Sequence, residues 1–355
     1  LDKETLAGIS SLETSGLTWQ KLSELNVGAD LGLLNNKVDL TVDVYKRNIF
    51  DLIGTVTTSG IGGQFRKVGN YGKMSGKGIE MTIGGTPVRN DNFRWRTSFN
   101  YAINKNEITE LEVNPNQWTL IRAEGGPLQG YSQRGLFSIA FDGLDPMYGF
   151  PTFVSQTGAR NVTRVDFQST SIDYLKYHGP VDPTFTGGFY NQLGYKDFTL
   201  SFLFNFSFGN YVRLQPTFTP YLTDDVVMTR DLVNRWMVPG DEKLTTIPTI
   251  LDPLVSETFM SDDPRYSYYA YNYSDQRVAK GDFIRLKNIS LSYRIPKSIS
   301  DRLKMRSLDL ALVGNNVALL YSDKKLNGAD PEFFGNGGVA LPIPRLYTFS
   351  LKLGF

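Results

Sequence analysis

The stretch Arg345–Phe355, RLYTFSLKLGF, decides how the rest of the chain is read. Tyr347, Phe349, Leu351, Leu353 and Phe355 share one face of a period-2 strand, and Thr348, Ser350, Lys352 and Gly354 share the other. One such strand also suits a soluble sandwich. A set of them, each about ten residues long and joined alternately by short turns and long loops, specifies a membrane-spanning barrel.

Upstream the pattern repeats. Leu25, Val27, Ala29, Leu31 and Leu33 alternate with Glu24, Asn26, Gly28, Asp30 and Gly32; past Asn35 and Asn36, Val38, Leu40, Val42 and Val44 alternate with Asp39, Thr41, Asp43 and Tyr45. That is a hairpin with an Asn-Asn turn. Its polar face carries Glu24, Asp30, Asp39 and Asp43, too much charge for a packed core, so the apolar face is the one expected to be covered, by lipid or by another layer. The glycines from Gly60 to Gly78 read as a loop, Ile79 to Ile83 as a short strand, Thr86-Pro87 as a tight connection, and Phe93 to Ile103 as its partner strand.

A third hairpin spans Gly187 to Gly209, turning at Lys196-Asp197, with Phe198, Leu200, Phe202, Phe204, Phe206 and Phe208 on one face. In Phe283–Arg294 the apolar set changes parity between Leu286 and Ile289, which predicts a bulge. Leu308, Leu310 and Leu312 form the next strand. The total is about nine strands, the prediction being all-β. Phe93, Trp95, Phe198, Tyr293 and Phe355 fall on the apolar face at the short-turn ends, where an interfacial aromatic girdle belongs.

Three long stretches lack periodicity: 105 to about 185, 210 to 281, and the run through Asp330-Pro331-Glu332. Residues 1 to about 22 also read as loop, and Asp225 to Trp236 as a helix within the second stretch. Ordered loops of such length are usually functional. Their aromatic and basic residues Trp118, Arg122, Tyr268, Tyr269 and Tyr271 are candidates for stacking on sugar rings or holding a peptide; packing between loops or against a partner is the commoner use of such rings.

Composition narrows the function. The 355 residues carry a formal net charge of +1, which supplies no field for nucleic acid. There is no cysteine and one histidine, His178, so disulfide, thiolate and imidazole-cluster metal chemistry are excluded and no cofactor is expected. The acid pairs Asp142/Asp145, Asp224/Asp225 and Asp262/Asp263 lie in loops without supporting clusters and read as solvated loop charges rather than a glycosidase pair or a calcium site. With no Gly-x-Ser-x-Gly and no convincing triad, an enzyme is not expected. No apolar run reaches the roughly 20 residues a membrane helix needs, and no signal peptide opens the chain, as expected of a mature or internal portion of an exported protein.

Several runs together resemble a known family: GNYGKMSGKGIE at 69–80, FRWRTSFNYAINKN at 93–106, GGFYNQLGYKDF at 187–198, NRWMVPGD at 234–241, GDFIRLKNISLSYRIP at 281–296, DPE at 330–332, and the terminal strand. Of these, 281–296 and the terminal strand are the most specific. The chain resembles the carboxyl-terminal part of the SusC/RagA family of TonB-dependent outer-membrane transporters of the Bacteroidetes. The resemblance implies the last strands of a 22-stranded antiparallel barrel in the cell outer membrane, with the plug, the TonB-contacting segment and the earlier strands absent from residues 1–355. It also implies a SusD-like surface lipoprotein over the extracellular mouth and import of an oligosaccharide or a peptide. A structural or adhesive outer-membrane β-barrel without energy-coupled transport is the alternative, and a soluble carbohydrate-binding module a more distant one.

Overall fold

The computed structural model describes residues 16–35, 37–57, 66–167, 171–218, 229–250, 265–333 and 343–355. Nine strands form one sheet: β1 (Lys21–Leu33), β2 (Val38–Phe50), β3 (Gly72–Arg89), β4 (Phe93–Leu111), β5 (Phe185–Tyr195), β6 (Phe198–Phe208), β7 (Phe283–Arg294), β8 (Ser307–Ser322) and β9 (Leu346–Gly354). Each pairs antiparallel with its neighbours in chain order, so the sheet is an up-and-down meander. Short connections gather at one end and long ones at the other, as an antiparallel meander requires.

Register keeps one apolar face continuous. Val44 lies opposite Ile79 and Ile79 opposite Ile103; Phe189 opposite Phe99 and Phe204; Leu291 opposite Leu200 and Leu312; Leu312 opposite Phe349. A slip of one residue anywhere would turn a whole strand inside out. The parity change predicted in β7 is real: against β6 its pairing shifts at Leu203/Phe204 and leaves Lys287 as the extra residue, whereas against β8 it shifts between Leu286 and Asn288 with the extra residue on β8.

Among the described residues nothing covers that apolar face. Leu25 (68%), Val27 (65%), Phe349 (68%) and Leu351 (53%) are exposed, as are Ile83, Phe189, Phe198 and Leu312. A sandwich would have buried them under a second sheet about 10 Å away. The buried cluster instead forms from the long connections, around Ile121, Ile139, Phe150, Phe153, Phe218, Leu232, Tyr268 and Tyr271. The sheet therefore carries its oil outward and the loops carry the core. Among the described residues no helix is long and apolar enough to cross a membrane.

Four expectations are corrected. Gly72, Gly76 and Gly78 lie inside β3, which is 18 residues long and not the short Ile79–Ile83 strand expected. Gly78 is required there because a Cβ would come within 2.4 Å of the Tyr45 ring, which lies across it on the polar face. Thr86-Pro87 is a bulge within β3, whose pairing with β4 shifts between Gly85 and Val88. The turn comes later, where Asn90 Oδ1 accepts from the backbone N–H groups of Asn92 (3.1 Å) and Phe93 (2.7 Å). β4 runs eight residues past Ile103 to Leu111. The expected helix over Asp225–Trp236 is, in its described part, one 3-10 turn at Arg230–Asn234; residues 225–228, Asn36 of the first turn, and Gly60, Gly62, Gly63, Asp224, Asp262 and Asp263 lie outside the described residues.

The girdle residues do line the short-turn end. Phe198 stacks on Tyr293 with ring centroids 4.2 Å apart, Phe93 pairs with Tyr195, and the Trp95 indole N–H donates to Asn191 Oδ1 at 3.0 Å. An amphipathic ring with its polar atom satisfied suits an oil–water boundary.

Candidate functional site

The candidate site is built by the long connections. Asn116 caps the single-turn helix α1 (Gln117–Ile121), its Oδ1 accepting from Thr119 N at 2.9 Å and Thr119 Oγ1 at 3.0 Å. Gln117, Leu120 and Ile121 are buried in the core, Trp118 is half-buried against it, and Arg122, four residues after Trp118, is exposed. Residues 265–272, RYSYYAYN, form the helix α2, burying Ser267, Tyr268, Ala270, Tyr271 and Asn272. The tyrosines hid this helix from sequence reading, since aromatic residues are indifferent helix formers.

The two helices meet through their rings. Trp118 stacks on Tyr269 at 5.9 Å and 16°, and Phe167 and Tyr273 pack edge-on or tilted against both at 5.0–6.1 Å. Tyr268 and Tyr271 go elsewhere. Exposed by 4% and 1%, they sit inside the core against Phe218, Phe150 and Phe141, which corrects their reading as ligand contacts. Burial pushes the Tyr271 phenol up to about 12 and Tyr268 further in the same direction, so both stay neutral.

Two further residues carry no sequence signal. Arg213 is 5% exposed; its Nη2 donates to Phe137 O (2.6 Å) and Ser138 Oγ (2.9 Å), and Nη1 to Ser274 O (3.2 Å) and Asn272 O (3.4 Å). No carboxylate pairs with it among the described residues, and burial pulls its pKa down to about 9. Asn272 fixes the next segment, accepting from Thr217 N and Phe218 N and donating to Phe218 O at 2.6 Å. A cavity of about 160 Å³ opens between Arg122, Glu124, Arg213, Gln215, Asn272 and Tyr273, so Tyr273 belongs to both the ring cluster and this cavity.

Of the loop acid pairs, the two described residues are structural. Asp142 is not a solvated charge: its side chain is 3% exposed, pairs with Arg160 and accepts from Asn161 N at 2.8 Å, and Arg160 holds its carboxyl below the usual carboxylate range. Asp145 closes a turn by accepting from Met147 N and Tyr148 N. Trp236 of the 234–241 run packs on Gly149, where a Cβ would sit 2.4 Å from the indole. No grouping of three acid, histidine or cysteine side chains that would hold a metal exists among the described residues.

No family model matches the chain. Curated proteins do: two TonB-dependent receptors of Formosa agariphila are 27% and 28% identical over 91% and 93% of the chain, and the TonB-dependent receptor SusC of Bacteroides thetaiotaomicron is 27% identical over 95%. The chain is homologous to TonB-dependent receptors. It spans about a third of the length of these relatives, covering 32–34% of each. Among solved structures, the RagAB peptide transporter superposes with a TM-score of 0.76 at 24% identity, covering 98% of the chain and 37% of that protein; the "open-open" state of the RagAB peptide importer gives 0.70. The fold is therefore that of the carboxyl-terminal part of a TonB-dependent receptor barrel. These relatives carry the names of receptors and of a peptide transporter, none of them the name of an enzyme.

Proposed function

We propose that residues 1–355 are the carboxyl-terminal part of an outer-membrane importer, driven by TonB, that takes up a large nutrient, an oligosaccharide or a peptide, beneath a SusD-like lipoprotein. The observation that carries this reading is the bare apolar face of the nine-stranded meander beside a main buried cluster built by the long connections, in a chain whose fold matches the RagAB peptide transporter over nearly its full length. In lipid that face needs no cover.

The sheet also has two free edges, 13 residues of β1 and 9 of β9. Each leaves alternate N–H and C=O groups unpaired. At several kcal/mol per group in hydrocarbon, the total is on the order of tens of kcal/mol, beyond the roughly 5–15 kcal/mol by which proteins are stable. Further strands must close the barrel, and we assign them, with the plug and the TonB-contacting segment, to sequence outside these 355 residues. The long loops then face the cell exterior and the lipoprotein, and we assign contact with a ligand to Trp118, Arg122 and Tyr269.

The test is nutrient uptake by cells with and without functional TonB, together with the subunit composition of the detergent-solubilised particle. Uptake that disappears without TonB, in a particle carrying a lipoprotein partner, is the expected result. A barrel with no plug and no TonB-dependent uptake would leave a structural or adhesive role instead.

A further inference from the structure

We propose that the cavity between Arg122, Arg213 and Tyr273 is a subsite for a carboxylate borne by the imported nutrient. The proposal rests on the import reading and narrows its substrate to an acidic one.

Three observations lead there. The first is charge. Arg213 is almost fully buried, its hydrogen bonds go to three carbonyl oxygens and a hydroxyl, and its Nε has no partner. Carbonyls and a hydroxyl take the Nη donors, but no carboxylate among the described residues pairs with the unit charge, a situation that costs several kcal/mol in a protein interior and that a bound anion relieves.

The second is access. Arg122 is exposed at the rim of the same cavity and, among the described residues, its side chain is held by a single 3.3 Å contact to Glu124, with both side chains 48% exposed. A pair this open and this long is worth little, so Arg122 is free to exchange Glu124 for a better-placed carboxylate. Glu124 is itself a cavity-lining carboxylate and opposes an incoming anion, which makes the subsite weak until Arg122 turns to the ligand.

The third is size and surroundings. A volume of about 160 Å³ is below the roughly 300–1,000 Å³ of pockets that hold a whole drug-sized ligand, so the cavity takes one group of a longer molecule. Tyr273 forms one wall and packs at 5.0 Å on Trp118. A chain molecule with its carboxylate between the arginines would continue past these rings.

Uronate-containing oligosaccharides and acidic peptides both present this group. Isothermal titration of the complete detergent-solubilised transporter with a tri-uronate and its carboxyl-reduced neutral counterpart, and with a penta-glutamate and a penta-glutamine peptide, separates the two sources. One acidic probe is expected to bind at least about tenfold tighter than its neutral partner, charge-assisted hydrogen bonds being the stronger ones. Arg122→Gln, at an exposed position that does not threaten folding, should abolish that preference, and Glu124→Gln should strengthen it several-fold; a merely structural role for the pair moves neither in that direction. Acidic probes that bind no better than neutral ones, or not at all, or a preference that survives Arg122→Gln, would overturn the subsite. TonB-dependent uptake of a neutral nutrient in that case would leave the import reading standing, whereas the absence of any TonB-dependent uptake would remove the import reading itself.

Discussion

Arg285 on β7 grips Asp330, its Nη2 lying 2.5 Å from Oδ1 and 2.6 Å from Oδ2, with Glu332 2.9 Å away and the arginine and aspartate side chains only 6% and 9% exposed. Two runs far apart in sequence, Gly281–Pro296 and Asp330–Glu332, thus resolve into one device. The strand arginine anchors the start of the long connection between β8 and β9 at the loop end of the sheet.

Removing one partner of this pair leaves the other buried and uncompensated, at a cost of about 3–5 kcal/mol. Arg285→Met and Asp330→Leu should each open the 323–333 segment to protease and to amide exchange. The double variant should be less exposed than either single one, because it leaves no orphan charge. Additive damage in the double variant would contradict the pairing.

Gly149 adopts φ +69° directly beneath the Trp236 indole. A Cβ costs roughly 1–2 kcal/mol in left-handed backbone and also displaces the ring. Gly149→Ala is expected to lower the melting temperature of the loop core and shift Trp236 emission to the red. Unchanged emission and melting would show that the indole is not seated there.

His178 is half-buried beside Tyr211, and desolvation, with Arg213 next in effect, pulls its pKa down from 6.5 to about 4. Its folded value is depressed, so the unfolded chain binds the extra proton first as pH falls. The neutral imidazole's contribution to stability is whole above pH 6.5 and is lost progressively toward pH 4. Amide exchange in 135–138 and 176–180 should quicken over that window in the wild type and not in His178→Gln. A window that persists in the variant would assign it to another group.

Tyr268 places its hydroxyl in the core with no hydrogen-bond partner. Tyr268→Phe removes an unsatisfied polar atom and is expected to be neutral or stabilising, by up to about 1–3 kcal/mol, without altering uptake. Tyr268→Ala should cost about 3–5 kcal/mol, as other emptied aromatic sites do. Lost uptake in a stable Tyr268→Phe protein would restore the ring to the ligand site.

The sheet was legible because oil on one face and water on the other force a strict period of two: all nine strands, the Lys196-Asp197 turn and the Lys287 bulge follow from side-chain parity. β3 was half missed because its glycines carry no side chain to mark parity, although Gly78 is dictated by Tyr45 on the neighbouring strand. The loop core was illegible for a different reason. Arg213 is held by Phe137, Ser138, Asn272 and Ser274, and Asn272 by Thr217 and Phe218, all contacts between distant short segments that leave no local period. Aromatic residues in long loops mark Trp118 and Tyr269, which the structure stacks, and equally Tyr268 and Tyr271, which it buries, because nothing in a tyrosine's spacing tells a core ring from a surface ring at so short a helix.

The most direct test of the central claim uses the absence of cysteine from the chain. Single cysteines placed in turn from Thr348 to Leu353 in the complete protein, spin-labelled in outer-membrane vesicles, report contact with oxygen dissolved in lipid or with a water-soluble nickel complex. Positions 349, 351 and 353 are predicted to favour oxygen and positions 348, 350 and 352 nickel, alternating along β9. A strand with no alternation, or with all positions open to the nickel complex, would contradict a membrane-facing sheet.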